Sequence, residues 1–258
     1  VVDLCLNLFW WGKFRKHKAA VKLHTMLDVK TNIPTFIFVT SGAVHELSLL
    51  DEFPIEEGSY YLLDKGYIDF EKLHRIHKAP AYFVVRAKEN FAFVRLHSRP
   101  VDKKSGVKCD QTVRLKNKVV SLKYPNELRR VKYYDRDKNV ELVFMTNNFE
   151  ISPIEIAGLY KYRWKIELFF KWIKQHLKVK SFWGYSLNAV KTQIYIAMIT
   201  YLMVAIVKHE LKLKQTQYEI LQILSVSLLC KTPLLELFSN AYPQYVKELE
   251  TKQLKIFN

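Results

Sequence analysis

Tyr160, Arg163, Glu167 and Lys174 follow one another at intervals of three, four and seven residues. On a helix turning about 100° per residue, the four fall within a stripe roughly 60° wide. A carboxylate sharing one face with a guanidinium, an ammonium and a phenol could hold a metal ion or a phosphate. Lys171 and Lys178 add positive charge nearby. Ile166, Leu168, Phe169, Phe170, Trp172 and Ile173 take the other faces, so the pattern predicts a largely buried helix with one charged edge left open. A plainer reading stands beside it: Arg163, Glu167 and Lys171 lie at i, i+4 and i+8, the spacing of ion pairs on a solvated helix.

A second carboxylate is placed where chemistry could use it. Tyr60 to Leu63 is a short apolar run suited to a buried central strand, and Asp64-Lys65-Gly66-Tyr67 follows it directly. Sites in α/β folds collect at such strand ends, where a side chain is held rigidly yet can be reached. Asp before Lys-Gly is equally ordinary turn chemistry, so position alone does not decide the role of Asp64.

Around these two positions the chain alternates in texture. A strand-like opening, Val1 to Trp10, leads to a basic segment, Lys13 to Lys18, that suits a phosphate-contacting arm or a solvated loop. Strands are predicted from Val21 to Val29 and from Thr35 to Val39, joined by a turn at Thr31-Asn32, with a helix from Val44 to Phe53 that stops at Pro54. Another helix should run from an Asp69 cap to Lys78. Residues 81–149 read as short strands, including Val119 to Tyr124, and helices are expected over 153–178, 187–211, 215–229 and 233–250. The result is a mixed α/β chain with a β-rich block inside it.

Composition narrows the partners. Forty-one Lys and Arg oppose 25 Asp and Glu across 258 residues, a net charge of +16. An excess of this size, spread along the chain, points to a polyanion: nucleic acid most simply, with ribosomal RNA or an anionic membrane surface as alternatives. Hydrophobic content of 49% excludes a mainly disordered chain. Cys5, Cys109 and Cys230 have no paired spacing and read as reduced thiols of a cytosolic protein. Ile194 to Val207 is too short to span a bilayer comfortably and reads as a core helix. His74 and His77 form a two-ligand pattern lacking a third, His45-Glu46 lacks the second His of a zinc-protease motif, and no Gly-rich phosphate loop occurs.

Tyr, two residues, Arg, three residues, Glu, six residues, Lys resembles the signature of the insertion-sequence type-four family of DDE transposases. Asp64-Lys-Gly-Tyr-Ile-Asp-Phe resembles that family's second-Asp motif. Val21-Lys-Leu-His24, Gly42-Ala-Val-His45, Phe169 to His176 and Asn188 to Ile194 resemble further segments, so nearly the whole chain is covered. The resemblance implies a ribonuclease-H-like core begun by residues 1–80, a β-rich insertion over 81–150, and a helical remainder over 151–258 that carries the catalytic Glu. It implies Mg²⁺-dependent cleavage and strand transfer at the ends of a mobile element, with Mn²⁺ a possible substitute and two ions in the intact enzyme. Asp64 and Glu167 then take the places of catalytic, metal-binding carboxylates, and Tyr160, Arg163, Lys171 and Lys174 those of DNA contacts. A homodimer on double-stranded DNA, associated with a prokaryotic nucleoid and with no membrane, is expected.

Two departures follow from the same resemblance. The family's first Asp should lie a few residues before Val1, so the natural N-terminus is expected upstream and this chain is expected to bind DNA yet cleave poorly. Asp3 is not the equivalent, because an odd offset along a strand puts it on the opposite sheet face. Residues 81–150 contain no Trp, leaving only Tyr or Phe to hold a flipped base. Two rival functions remain open at this point: a non-catalytic remnant that only binds DNA, and a ribonuclease-H-like nuclease outside transposition.

Overall fold

The structure, a computed structural model, describes residues 2–4, 11, 13–15, 18–87, 92–177, 179, 181–227, 229 and 231–238. Cys5, Lys16, His17, Lys178, Cys230 and the distal half of the expected 233–250 helix lie outside these residues. The chain divides into two compact units, Val1–Lys171 and Trp172–Asn258.

In the first unit, β1 (Val2–Leu4), β2 (Lys13–Arg15) and β4 (Pro34–Ser41) each pair antiparallel with the long strand β3 (Lys18–Leu27). The turn joining β3 to β4 is built as its residues require. Asn32 takes a left-handed φ of 58°, and Asp28 accepts bonds from Lys30 N and the Thr31 hydroxyl. Lys22 Nζ donates to Val44 O at 2.8 Å and Gly42 N to Ala20 O at 2.7 Å, so two segments singled out in the sequence are bonded to each other.

A second sheet runs β5 (Tyr60–Leu63), β6 (Tyr82–Arg86), β10 (Val140–Thr146), β9 (Leu128–Asp135), β8 (Val107–Leu115), β7 (Phe93–Arg99). The β5–β6 pair is parallel and the others are antiparallel. Alternation along the strands separates two cores. Phe83 and Val85 face α1 (Phe70–Lys78) through Leu73 and Ile76, while Val84, Val131 and Phe144 face α3 (Pro153–Lys161) through Ile156, Ala157 and Tyr160. Helices on both faces of a mixed sheet give an α/β architecture, each fully buried Val, Leu or Phe side chain contributing about 1.5–3 kcal/mol.

Several expectations are corrected. Val119 to Tyr124 is not a strand: Lys118–Lys123 forms the short helix α2, because the Asn117 side chain accepts bonds from Val119 N and Val120 N and caps it. Within Val44 to Phe53 only Glu46–Leu49 is helical, as a single 3₁₀ stretch. It is fastened to α1 by Arg75, which donates to Leu50 O and Phe53 O at 3.0 Å each, and by the Lys72–Asp51 ion pair. Strand β5 lies at the sheet edge and is half-buried rather than central. Its two tyrosines keep their hydroxyls paired, Tyr60 with Asn148 Nδ2 at 2.9 Å and Tyr61 with Glu56 N at 2.8 Å.

In the second unit, α5 (Leu187–Glu210) and α6 (Gln217–Ser227) pack through Val204 and Ile220, with Phe238 in the same cluster. Ile194 to Val207, read from the sequence as a core helix, lies within α5, which is buried along one side only. Val190, Ile194, Ala197, Met198, Tyr201, Val204 and Ala205 are buried, whereas Ile196, Ile199, Met203 and Ile206 on the other side are half or more exposed. At 24 residues α5 is long and apolar enough to cross a membrane by length and composition, although one face is committed to packing.

Candidate active site

Asp64 follows the last residue of β5 and caps the one-turn 3₁₀ helix Lys65–Tyr67. Its Oδ1 accepts from Lys65 N at 2.8 Å and from the Tyr160 hydroxyl at 3.3 Å. The turn-forming role and the juxtaposition with a distant side chain therefore coexist in one carboxylate. The bond to Tyr160 spans 96 residues of sequence.

Tyr160 is delivered by α3, whose start is strongly encoded. Ser152 caps Glu155 N, Glu155 returns a bond to Ser152 N at 2.7 Å, and Pro153 occupies the first turn. The hydrogen bonds to Ser152 hold the Glu155 carboxyl below its ordinary pKa. Two turns on, the Tyr160 ring packs against Phe144 at a centroid distance of 4.8 Å, leaving the residue 8% exposed. Burial, aided by the negative charge of Asp64, pushes the Tyr160 phenol up to about 12. The hydroxyl is therefore a proton donor to Asp64 throughout the neutral range.

The single helix expected across these residues is in fact two. After α3 the backbone tightens into three-residue turns, with Tyr162 N donating to Leu159 O, Arg163 N to Tyr160 O and Lys165 N to Tyr162 O. Helix α4 then begins afresh at Trp164 and runs to His176. Side chains three apart eclipse on such a turn, and Arg163 Cζ lies 5.7 Å from the Tyr160 ring centroid. The restart also places Glu167 in the first turn of α4, where the helix dipole favours a carboxylate. Burial of α4 is partial: Phe169 and Ile173 are buried, but Leu168 and Trp164 are about half exposed.

Arg163 Nη1 meets Glu167 Oε1 at 2.7 Å, so the i, i+4 ion pair of the plainer reading is present. Partial burial works against the charge of Arg163, and the bond to Glu167 together with the negative potential of Asp64 and Glu167 outweighs it, raising the guanidinium above its ordinary pKa. Its Nε is buried and has no hydrogen-bond partner. Lys171 is exposed on α4, and Lys174 lies three residues further on the same helix, within the second unit.

Asp64 and Arg163 line a cleft of about 660 Å³ that also takes in Asp28, Tyr67, Lys72 and Tyr162. Asp28 uses both carboxylate oxygens in its own turn, Oδ1 for Lys30 N and Oδ2 for the Thr31 hydroxyl. Asp64 and Glu167 each spend one, Oδ1 and Oε1, in the bonds described, so each has a second oxygen for a ligand. Those donors suit a hard divalent cation in kind. They fall short in number: no group of three or more His, Cys, Asp or Glu able to hold a metal occurs among the described residues. His74 and His77 are packed against Tyr124, His77 Nδ1 lying 2.7 Å from its hydroxyl, so that pair is accounted for by packing.

Four supporting residues escaped the sequence reading. Asn147 bridges the ends of β10 and β6, accepting from Phe83 N and donating to Ala81 O. Asn148 accepts from Glu150 N and Ile151 N just ahead of α3. Arg129 pairs with Asp110 through Nε and Nη2 at 2.9 and 2.8 Å while Nη1 donates to Ile151 O at 2.6 Å. Lys165 Nζ reaches Val29 O at 2.5 Å, tying the β3–β4 turn to α4. An Asn-Asn pair after an apolar strand was the one available signal.

Comparison with known proteins finds relatives of the chain as a whole. The family described as Transposase DDE domain matches residues 8–203. The chain is similar to "Putative transposase y4zB" of Sinorhizobium fredii, with 36% identity over 204 residues, 78% of this chain and 57% of that protein. It is 28% identical over 202 residues to "Probable transposase for insertion sequence element IS5377" of Geobacillus stearothermophilus, covering 76% and 52% of the two chains. It is 29% identical over 214 residues to "Putative transposase for insertion sequence element IS4SA" of a Synechocystis species, covering 78% and 56%. The chain thus spans a little over half the length of the curated relatives it matches.

Proposed function

Because the chain belongs to the Transposase DDE domain family, we propose that it forms the DNA-cutting and joining part of an insertion-sequence transposase of the type-four class. Asp64 and Glu167 are two of its acidic residues, and Tyr160, Arg163, Lys171 and Lys174 contact the terminal-repeat DNA. The observation that carries this reading is the bond between Tyr160 and Asp64 at the end of β5, with the Arg163–Glu167 pair one turn away. Residues about a hundred positions apart meet at the end of a strand, where an α/β site is built.

The reaction class is phosphodiester hydrolysis at the element's end followed by attack of the freed 3′-hydroxyl on another phosphodiester. Mg²⁺, or Mn²⁺ in its place, would be held by the open oxygens of Asp64 and Glu167 together with a further carboxylate. Such an ion supplies charge neutralisation at the phosphate and an acidified water. The chain's own groups orient and hold: Tyr160 fixes the Asp64 carboxylate, and the lysines of α4 grip phosphates without reading sequence. We place the core in the ribonuclease-H-like class with the β-rich block 81–150 as its insertion, acting as a homodimer on DNA in a prokaryotic cytoplasm.

A binding-only protein is the second reading, favoured by one observation: the net charge of +16 grips DNA phosphates with or without a metal. One assay separates the two. A labelled duplex carrying the element's terminal repeat is incubated with Mg²⁺ and with this chain or a chain extended upstream, each also as Glu167→Gln. Nicking by the extended chain alone, lost in Glu167→Gln, supports the transposase reading. Salt-sensitive binding by all four without nicking supports the binding-only one.

A further inference from the structure

We propose that Trp183, in the second unit, is a stacking contact for the face of a nucleobase, presented by a loop whose backbone is already fixed. The proposal rests on the reading of the chain as a DNA-binding protein and needs no metal. Trp183 is 88% exposed, and Tyr185, two residues on, is 54% exposed. A tryptophan is seldom left in water to this extent, because its ring is among the largest apolar surfaces that folding can bury. The loop around it is nonetheless tightly held. Gln193 on α5 accepts from Trp183 N through Oε1 at 3.1 Å and donates through Nε2 to Ser181 O at 2.7 Å, closing the backbone around Phe182. Gly184 lies so near α5 that a Cβ there would meet Ala189 Cβ at 2.6 Å. Ser186 then accepts from Ala189 N at 3.1 Å and starts the helix.

Backbone is thus fixed on both sides of Trp183 while the ring stays in solvent. A preordered loop loses little further freedom when a partner arrives, which is what an anchoring aromatic requires. Charge indicates the partner. Residues 172–209 contain Lys174, Lys178, Lys180, Lys191 and Lys208 and no Asp or Glu, so the sequence surrounding the loop attracts a polyanion. Nucleic acid is the polyanion whose every repeat also carries a flat π-face, and so it engages the lysines and the indole together. The base can come from an unpaired strand stacking on the ring, or from a duplex step that the ring wedges open. Either way Trp183 adds an apolar contact to the polar set Tyr160, Arg163, Lys171 and Lys174.

The test uses the full chain, and its readouts are tryptophan emission and DNA affinity. The chain has five Trp, so the emission of Trp183 is taken as wild type minus Trp183→Phe. Titration with a blunt duplex, and with the same duplex bearing a single-stranded tail, should quench that difference signal. Quenching by the tailed form alone assigns the base to an unpaired strand; equal quenching by both assigns it to a wedged duplex step. Polyphosphate and polyglutamate, which carry charge without bases, should leave the signal largely unquenched. Trp183→Ala should bind DNA about tenfold more weakly, within the roughly fivefold to hundredfold range expected for one lost base stack, while Trp183→Phe should stay within about threefold of wild type. The salt slope of Trp183→Ala should match wild type, because no phosphate contact is lost. Wild-type DNA affinity in Trp183→Ala overturns the proposal while leaving the DNA-binding reading intact. Quenching by polyglutamate as deep as by DNA overturns it in favour of an acidic protein partner. If the wild type binds neither DNA, the DNA-binding reading fails and the proposal goes with it.

Discussion

Arg129→Met should destabilise the first unit more than any change at the exposed edge of the candidate site. Arg129 and Asp110 are each 3% exposed, bonded through two nitrogens and both carboxylate oxygens. Removing one member of such a buried pair typically costs about 3–5 kcal/mol, because the other is left charged in a dry environment. Here Asp110 keeps Arg99 at 3.3 Å, a group 30% exposed, so the low end, about 3 kcal/mol, applies. At about 2–4 °C per kcal/mol for a unit of this size, the melting temperature should fall by about 6–12 °C. The loss should also travel. Ile151 O, just before the Ser152 cap, loses its donor, so the first turn of α3 should exchange its amide hydrogens faster. Urea titrations followed by circular dichroism, with hydrogen exchange on the same samples, measure both. Replacing both partners, as Arg129→Met with Asp110→Leu, should recover part of the loss. A cost below about 1 kcal/mol for Arg129→Met, or exchange in α3 identical to wild type, refutes the reasoning.

Three further outcomes are expected. Tyr160→Phe keeps the packing on Phe144 and should cost only about 0.5–1 kcal/mol, while Tyr160→Ala opens a cavity and should cost about 3–5 kcal/mol; thermal melts distinguish them. Burial, with the nearby His74, lowers the pKa of His77 below its unfolded value, so its contribution to stability is complete above about pH 6.5 and is lost as pH falls below that. Urea midpoints at pH 7 and 5 should therefore diverge less in His77→Gln than in the wild type. Binding to duplex DNA should weaken steeply with salt, as a net charge of +16 requires, and Lys171→Ala and Lys174→Ala should each reduce the salt slope by about one unit in fluorescence-anisotropy titrations.

Local signals carried the sequence reading where chemistry is local. The Asp69 cap of α1, the Asn32 turn and the Ser152 start of α3 each rest on a side chain that bonds to backbone a few residues away. Family spacing singled out Tyr160, Arg163 and Glu167 as candidates, and the structure bonds the first to Asp64 and pairs the other two with each other. What stayed hidden lay where local signals were missing, in conflict or overruled by packing. The break at Tyr162–Arg163 has no Pro or Gly to mark it, and apolar periodicity runs across it unchanged. Val119 to Tyr124 is β-branched and aromatic enough to suggest a strand, but the Asn117 cap prevails and α2 packs with α1. Arg129 looked like any surface cation until Asp110 and Ile151 O enclosed it. The exposed face of α5 was illegible for a related reason: composition reports how apolar a helix is, not how many of its sides are covered.

Iron-directed cleavage offers the most direct measurement of whether Asp64 and Glu167 hold one ion. Fe²⁺ substituted for Mg²⁺, with ascorbate and peroxide, generates radicals that cut the polypeptide close to wherever the metal sits. In a chain extended upstream, two sets of fragments are expected, one ending near Asp64 and one near Glu167, both suppressed by excess Mg²⁺ and by Glu167→Gln. Cutting at only one of the two positions, or a pattern unchanged in Glu167→Gln, would contradict a shared metal site and with it the catalytic assignment.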